Sequence, residues 1–368
     1  MLPRNQSAAG VFVEILETRS MLSAVVPAAS SAPILPQLNA QVISTIPSNG
    51  DVNPYGLAFV PNGFPSGGTI HTGNILIANF NDSANVQGTG STITRVADNG
   101  TTSTFYQGPA GQTLGLDGGL VALTRGFVLV GNVPAGPTAA DPVGQGSILV
   151  LNKSGKLVAT LTSKTFLDGP WAFSAYEQNG GAKAVLFVSN ALSGTVDRLT
   201  LSIPATGNNV KMTSAVQIAS GFGHGPNAPA FVIGPAGSAY DPANGDLYVN
   251  AEVENAVYAI PNALTTNSDH GKGSLVFQDN TDLHGPFGMI LSSNGDLIIA
   301  NADSVNVDPN HPSELVEITP KGHLVATKSI DPTPGGAFEI AESFTLGVHR
   351  FAYVDDVTSD LTIWTLPD

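Results

Sequence analysis

Six segments of the chain begin in the same way, with a turn rich in glycine and proline followed by an apolar strand. They recur at intervals of about 50 to 65 residues: NPYGLAFVP from Asn53, DGGLVALT from Asp117, DGPWAFSA from Asp168, GPAGSAYDP from Gly234, HGPFGMILS from His284 and GGAFEIAE from Gly335. Repeats of this length are typical of solenoids and propellers, in which each unit buries its apolar face against its neighbours. The repeat therefore predicts one architecture of six similar units.

Each opening is followed by a second and a third strand. The second strands share an ending, GNILIAN, GFVLVGN, AVLFVSN, GDLYVNA, GDLIIAN and FAYVDD, and turns such as PNGF and SSNGDL supply the positive φ that a hairpin needs. The chain has 41 glycines and 26 prolines, and no stretch sustains helical periodicity over three turns. These features predict an all-β, six-bladed β-propeller of four-stranded antiparallel blades.

The sixth unit has only three strands before the chain ends. Residues 40–47, AQVISTIP, alternate like a strand and precede the first opening. We expect this N-terminal strand to pair with the last strand and close the ring, because neither strand is then left as a free edge. The predicted organisation is a leader and linker over residues 1–37 and a propeller over residues 38–368.

The repeated pattern PxGLAFxPxGxLYVxN resembles that of NHL-type six-bladed propellers, and the resemblance covers residues 38–368. It implies the propeller fold. It does not imply one function, because such propellers include lactonases, lyases and binding modules.

The composition of the chain disfavours several classes of binding partner. The formal net charge is −15 with only 14 lysines and arginines, which disfavours nucleic acid and anionic membranes as partners. The chain has no cysteine, so it forms neither disulfides nor thiolate metal sites. No apolar run reaches the roughly 18 residues of a membrane span. We therefore expect a monomer that binds a small molecule or a neutral polymer.

The N-terminal segment LETRSMLSA, residues 16–24, resembles the LExRxLLSA sorting segment of exported planctomycete proteins. The next residues, VVPAASSAPILPQLNA, are rich in alanine, serine and proline, which is typical of a linker or processing site. The resemblance implies an exported protein, located in the periplasm, on the cell surface or in the medium.

The propeller topology brings two sets of residues to one mouth of the central channel. The first set begins the innermost strands: Asn53, Asp117, Asp168, Ile233 and His284, with Gly335 and Gly336 in the sixth unit. The second set ends the second strands: Asn79, Asn132, Asn190, Asn301 and Asp356, with Asn250 one position early. Such an oxygen-rich ring favours calcium, with Asp117 and Asp168 as metal ligands and the other residues contacting a ligand. Alternatively, each asparagine bonds the backbone of its own turn.

The segment Asp168-Gly169-Pro170-Trp171 resembles the EGPxW opening of the gluconolactonase or senescence-marker family, with aspartate in place of glutamate. The resemblance implies that Asp168 binds a divalent cation, that Trp171 forms a pocket wall and that the reaction is metal-assisted lactone opening. A second metal hypothesis is a zinc site of His224, His284 and His311, as in the propeller-fold amidating lyase.

Two function classes remain open at this point. The first is a binding propeller that uses the channel mouth, and the second is a divalent-metal-dependent hydrolase, lactonase-like, or a lyase at the same mouth. The sequence does not decide whether the protein is an enzyme. An ion on the channel axis favours the enzyme, whereas a channel plugged by side chains favours the binding module.

Overall fold

The computed structural model describes residues 32–35, 40–136, 139–142, 144–302 and 305–367. All regular elements in these ranges are β-strands, and none of the described residues forms a helix that could cross a membrane. The predicted sorting segment, residues 16–24, lies outside the described residues. Six four-stranded antiparallel sheets form a six-bladed propeller, which confirms the predicted fold class.

The first half of the chain supplies a closing strand and three blades. The closing strand is β1 (Ala40–Ser44), and blade one consists of β2 (Val52–Phe59), β3 (Ile75–Asn81), β4 (Thr92–Val96) and β5 (Thr102–Gln107). Blade two consists of β6 (Leu116–Leu123), β7 (Phe127–Asn132), β10 (Ser147–Asn152) and β11 (Leu157–Leu161), with the inserted pair β8 (Ala135–Gly136) and β9 (Ala139–Pro142). Blade three consists of β12 (Pro170–Gln178), β13 (Lys183–Asn190), β14 (Thr195–Ser202) and β15 (Lys211–Ala219).

The second half begins with the short pair β16 (Gly225–Asn227) and β17 (Phe231–Ile233). Blade four consists of β18 (Pro235–Tyr240), β19 (Leu247–Ala251), β20 (Ala256–Ile260) and β21 (Ser274–Gln278). Blade five consists of β22 (Pro286–Leu291), β23 (Leu297–Asn301), β24 (Glu314–Ile318) and β25 (Leu324–Ser329). Blade six consists of β26 (Ala337–Thr345), β27 (Val348–Asp355) and β28 (Asp360–Thr365), with β1 as its outer strand.

The ring closes as the sequence predicts. Strand β1 pairs antiparallel with β28 from Ala40 opposite Trp364 to Ser44 opposite Asp360, and the Thr45 N–H donates to the Ser359 carbonyl at 2.9 Å. The first and last strands of the propeller are therefore in one sheet. This arrangement removes the free edge that β28 would otherwise present.

Apolar side chains fill the spaces between neighbouring blades. Leu76 and Ile93 of blade one pack with Leu120 and Val128 of blade two, and corresponding clusters lie between the later pairs of blades. These residues come from strands buried on both faces, which explains the nearly continuous apolar runs in the repeat. Because each blade rests on two neighbours, the innermost strands are held around one central channel.

The predicted linker contains a part of this core. Ile34 and Leu35 are 5% and 0% exposed and pack with Phe351 and Trp364 of blade six. The backbone N–H of Ile34 donates to the buried Glu317 carboxylate at 3.0 and 3.1 Å. These two apolar residues of a proline-rich stretch therefore lie in a groove of blade six that also provides a matching acceptor.

Candidate functional site

Aromatic side chains plug the middle of the channel. Tyr55, Trp171, Phe287 and Phe338 are all at most 4% exposed. Each directly follows a ladder residue at the start of an innermost strand: Pro54, Pro170, Pro286 and Ala337. The Tyr55 ring stacks on Phe338 with centroids 4.2 Å apart and meets Trp171 edge-on at 5.7 Å. Trp171 thus belongs to the plug and does not form the wall of a cavity open at the mouth.

Asp117 takes the same place in blade two that these aromatic residues take in other blades. It is fully buried, its Oδ1 accepts the Gly119 N–H at 3.1 Å, and its Oδ2 has no hydrogen-bond partner. Burial raises the pKa of Asp117 well above its usual range, whereas the Gly119 N–H acts in the opposite direction. The carboxyl therefore lies against Gly131 of β7, where a Cβ would clash with its Oδ1, and no charged side chain is among the causes of its raised pKa.

The predicted calcium ligands do not form a calcium site. Asp168 is partly exposed and its backbone N–H donates to Asn190 Oδ1, whereas the nearby Asp117 has only one free oxygen. Calcium takes six to eight oxygen ligands. Within the described ranges, no three histidine, cysteine, aspartate or glutamate side chains form a group that could hold a metal ion. The donor set around Asp117 and Asp168 does not fit a resident calcium ion.

The asparagines that end the second strands lie inside the blades. Each ties a strand end to a neighbouring segment: Asn79 Nδ2 donates to Thr94 Oγ1, Asn132 Nδ2 to the Leu114 carbonyl, Asn190 Nδ2 to Asp197 Oδ2, and Asn301 Nδ2 to the Asp282 carbonyl. All four are at most 7% exposed. Asn250 likewise donates to the carbonyls of Phe287 and Gly288. The structure therefore places these amides in the blade framework and not on the channel wall.

The residue after each strand end faces the channel instead. In four blades it is apolar, and Phe80, Val133, Ala191 and Ala302 all pack into the central cluster around Tyr55. In blades four and six the same position is acidic: Glu252 follows Ala251, and Asp356 follows Asp355. Sequence reasoning singled out Asp356 but missed Glu252. Aligning the strand ends on ladder register, with Ala251 opposite Pro235, would have found it.

A cavity of about 280 Å³ lies at the mouth where the innermost strands begin, which we call the upper mouth. Tyr55 and Phe338 form its floor, Asp356 and Gln87 contribute polar groups, and the remaining lining residues are Pro229, Val307, Pro334 and Gly335. The Asp356 carboxylate makes no hydrogen bond within the described protein. No lysine, arginine or histidine is among the lining residues of this cavity.

Further acceptors at the upper mouth also lack donors. Gln87 Oε1 and Asn53 Oδ1 are buried and accept no hydrogen bond from the described residues. Asn53 itself adopts φ of 62°, which a short polar side chain tolerates, and its N–H donates to Ser359 Oγ. Buried acceptors are normally paired. The upper mouth is therefore short of donors, and a ligand that brings donors would complete it.

Burial and neighbouring negative charges raise the pKa values of the acidic groups at the upper mouth. Burial raises the pKa of Glu252 to about 8, although its Oε2 accepts the Gly234 N–H at 2.8 Å. Burial, followed by the charge of Asp355, raises the pKa of Asp356 well above its usual range. Burial and the charges of Asp356 and Glu252 raise the pKa of the Tyr55 phenol, so Tyr55 remains a neutral O–H donor or acceptor.

The three candidate zinc ligands are not arranged around one point. His284 is 3% exposed, and its two ring nitrogens lie 3.0 Å from the Asn306 carbonyl and 2.9 Å from the Thr281 carbonyl. His224 Nδ1 lies 2.8 Å from the Phe222 carbonyl, and His311 contacts Glu314 at 3.5 Å. The His284 ring thus links the backbone at Thr281 to the backbone at Asn306, and both of its nitrogens already contact a carbonyl oxygen.

Comparisons with solved structures show the same fold in several proteins of low sequence identity. A protein assigned as a gluconolactonase shares 12% identity and a TM-score of 0.54 over 92% of this chain and 97% of its own. A gluconolactonase from Xanthomonas campestris shares 13% identity and a TM-score of 0.51 over 89% and 90%.

A Thermus thermophilus protein assigned as an oxidoreductase of the glucose dehydrogenase type shares 14% identity and a TM-score of 0.52, over 89% of this chain and 100% of its own. No protein-family model matches the chain, and no curated protein does. At these identities the similarity establishes the propeller fold, and function must be argued from the site.

Proposed function

We propose that this protein is a binding propeller whose upper mouth takes a neutral polyhydroxylated ligand, either a small molecule of about one ring or the end of a polymer of such rings. The observation that carries the proposal is the Asp356 carboxylate, which lines the cavity and makes no hydrogen bond within the described protein. A hydroxyl-bearing ligand supplies donors to Asp356 without requiring a positive charge.

The other features of the upper mouth support this ligand class. The rings of Tyr55 and Phe338 give the cavity an apolar floor, whereas the unpaired acceptors stand at its sides. A sugar-like ring has a corresponding division between its C–H face and its hydroxyl rim. The volume of about 280 Å³ is near the lower end of small-molecule sites, which begin at about 300 Å³. The ligand, or its bound end, is accordingly small.

The plugged channel supports the binding hypothesis over the enzyme hypothesis. Six aromatic side chains fill the space in which a metal ion would lie on the axis: Tyr55, Phe80, Trp171, Phe231, Phe287 and Phe338. The alternative, a divalent-metal-dependent hydrolase or lyase, shares the fold of the gluconolactonase structures. Its predicted ligands, Asp117 and Asp168, do not provide the coordination that such chemistry needs.

The experiment that tests the proposal is a thermal-shift and calorimetric screen with a panel of monosaccharides and their methyl glycosides. We expect at least one to stabilise the wild-type protein in a concentration-dependent way. Asp356→Asn should weaken that ligand at least tenfold, because the amide replaces an acceptor by a donor. Asp360→Asn, in the same blade but outside the cavity lining, is the matched control. Equal binding by both variants would contradict the proposal.

The sequence supports three further proposals, on location, repeat type and oligomeric state. We propose an exported location from the segment of residues 16–24, an NHL-type repeat from the pattern of openings, and a monomer from the closed ring. Fractionation of cells that express the full chain, with and without residues 1–31, tests export. Sedimentation analysis tests the monomer.

A further inference from the structure

The opposite end of the channel has its own cavity, of about 410 Å³, which we call the lower vestibule. All six innermost strands contribute to its wall, and the aromatic plug separates it from the upper mouth. Most of its lining is apolar, including Leu57, Leu120, Phe173 and Met289. The lower vestibule is therefore a concave apolar site that is distinct from the one proposed above.

Two glutamates line this wall, Glu339 and Glu342, and Glu339 is the one with a free carboxylate oxygen. Glu339 of blade six is 8% exposed, and its Oε1 accepts the N–H of Ile340 at 3.1 Å. Its Oε2 accepts no hydrogen bond from the described residues and lies 3.4 Å, an ordinary contact distance, from where a Cβ on Gly118 of blade two would be. The carboxylate thus extends across the channel below Phe287.

No cation among the described residues balances the Glu339 charge. The other ionisable side chains among the vestibule's lining residues are Glu342 and Tyr240, and neither is a cation. The Glu342 oxygens are already bonded to Ser292, Ser293 and His349. Burial accordingly raises the pKa of Glu339 well above its usual range. A buried carboxylate without a partner is costly, and a ligand that brings a positive charge relieves that cost.

A hydroxyl pair stands on other blades of the same wall. Ser174 Oγ of blade three and Ser238 Oγ of blade four are 2.9 Å apart and hydrogen-bonded to each other. One hydroxyl donates to the other, so each serine already has a hydrogen-bond partner. Glu339 therefore remains the main group of the described vestibule wall that has a free acceptor. The wall thus combines an extended apolar surface with one carboxylate, that of Glu339, whose second oxygen has no donor among the described residues.

We infer that the lower vestibule binds a primary organic ammonium with a short apolar body, with the ammonium on Glu339 Oε2 and the apolar body against Leu57, Phe173 and Met289. The ammonium supplies three donors and one positive charge, which match a carboxylate that accepts one N–H and lacks a cation. The apolar body gains the burial that the wall offers, at roughly 25 cal/mol per Å². This site does not depend on the proposed sugar-like ligand of the upper mouth.

The test compares n-hexylammonium, n-hexanol and hexanoate by titration calorimetry with the full chain. Hexylammonium should bind at least tenfold more tightly than hexanol, and hexanoate should not bind, because its charge repels Glu339. Glu339→Gln should remove the advantage of hexylammonium. Asp356→Asn, at the other end of the channel, should retain it.

Melting temperatures distinguish a loss of hexylammonium binding from a loss of the fold. Glu339→Gln and Glu339→Met both remove a buried unpaired charge, so both should melt at least as high as the wild type. Hexanol binding as tightly as hexylammonium would overturn the inference, as would an unchanged hexylammonium affinity in Glu339→Gln. Loss of hexylammonium binding in Asp356→Asn would also overturn it and assign the amine to the upper mouth.

Discussion

Asp355 and Asp356 are consecutive residues at the end of β27, and their side chains have different surroundings: Asp355 bonds the following turn, whereas Asp356 lines the channel mouth. Asp355 Oδ1 accepts the N–H groups of Val357 and Thr358 at 3.0 and 3.3 Å and so holds the turn. The Asp356 side chain makes no hydrogen bond to the residues that the structure describes, and it lines the upper mouth. This alternation recurs around the ring: the residue opposite the strand opening supports the blade, and its successor faces the channel.

The strand-ending asparagines should therefore affect stability and not ligand binding. Asn301→Ala removes the acceptor of the buried His284 N–H and the donor to the partly buried Asp282 carbonyl. We expect a loss of about 1–3 kcal/mol in the free energy of unfolding, measured by urea denaturation. Asn209→Ala, at an exposed position, is the control and should change it by less than about 0.5 kcal/mol. Weakened sugar binding without a loss of stability in Asn301→Ala would contradict this role.

The docked residues of the predicted linker should contribute as core residues. Leu35 is fully buried against blade six, so Leu35→Ala should cost about 2–5 kcal/mol. Leu324→Ala is the control, because Leu324 is 45% exposed. Chemical denaturation measures both. Equal midpoints for the two variants would show that the segment around Leu35 is not docked in solution.

Ring closure predicts a sharp effect of removing β1. A chain that starts at residue 40 retains β1, whereas a chain that starts at residue 48 exposes the edge of β28. The shorter chain should melt at a lower temperature and aggregate more readily, because an unpaired edge offers backbone donors and acceptors to other chains. Calorimetry and light scattering measure the two effects. Identical behaviour of the two truncations would contradict closure by β1.

Buried carboxylates should make the protein more stable in mild acid than in mild alkali. Burial raises the pKa of Glu252 to about 8 from an unfolded value near 4.5, and that of Asp197 to about 7. Between these limits the folded state holds protons that the unfolded state has lost, so the stability that these two groups contribute is greatest below their unfolded pKa values and declines as pH rises to about 8. One group contributes a slope of at most about 1.4 kcal/mol per pH unit.

Glu252→Gln tests this pH dependence. The variant keeps an acceptor for the Gly234 N–H but has no titratable group, so its unfolding free energy should fall less between pH 5 and pH 8 than that of the wild type. Denaturant titrations at several pH values measure the difference. An identical slope in the variant would show that Glu252 does not titrate in this window.

The architecture was predictable because it is repeated in the sequence. Six copies of one strand pattern specify six blades, and the missing fourth strand of the last blade indicates the role of residues 40–44. The residues at the upper mouth were harder to identify, because a shift of one residue in a strand end turns a side chain from the blade to the channel. Asn79 and Phe80 illustrate this: the asparagine bonds Thr94, and the phenylalanine enters the plug.

The plug could not be predicted from composition, because aromatic residues in apolar strands usually pack between sheets. Tyr55, Trp171, Phe287 and Phe338 lie on four different blades, and only the closed ring brings them together. The same argument applies to Glu339 and Gly118, which are 221 positions apart in the sequence yet adjacent across the channel. Contacts between distant repeats depend on the curvature of the ring, which a local pattern does not encode.

The central claim is that the upper mouth around Asp356 is the ligand site, and a crystal structure with the tightest-binding monosaccharide of the panel tests it most directly. The account predicts a sugar ring against Tyr55 and Phe338, with a hydroxyl about 2.7–2.8 Å from an Asp356 carboxylate oxygen. A sugar bound elsewhere, in the lower vestibule or between blades, with the upper mouth holding only water, would contradict it.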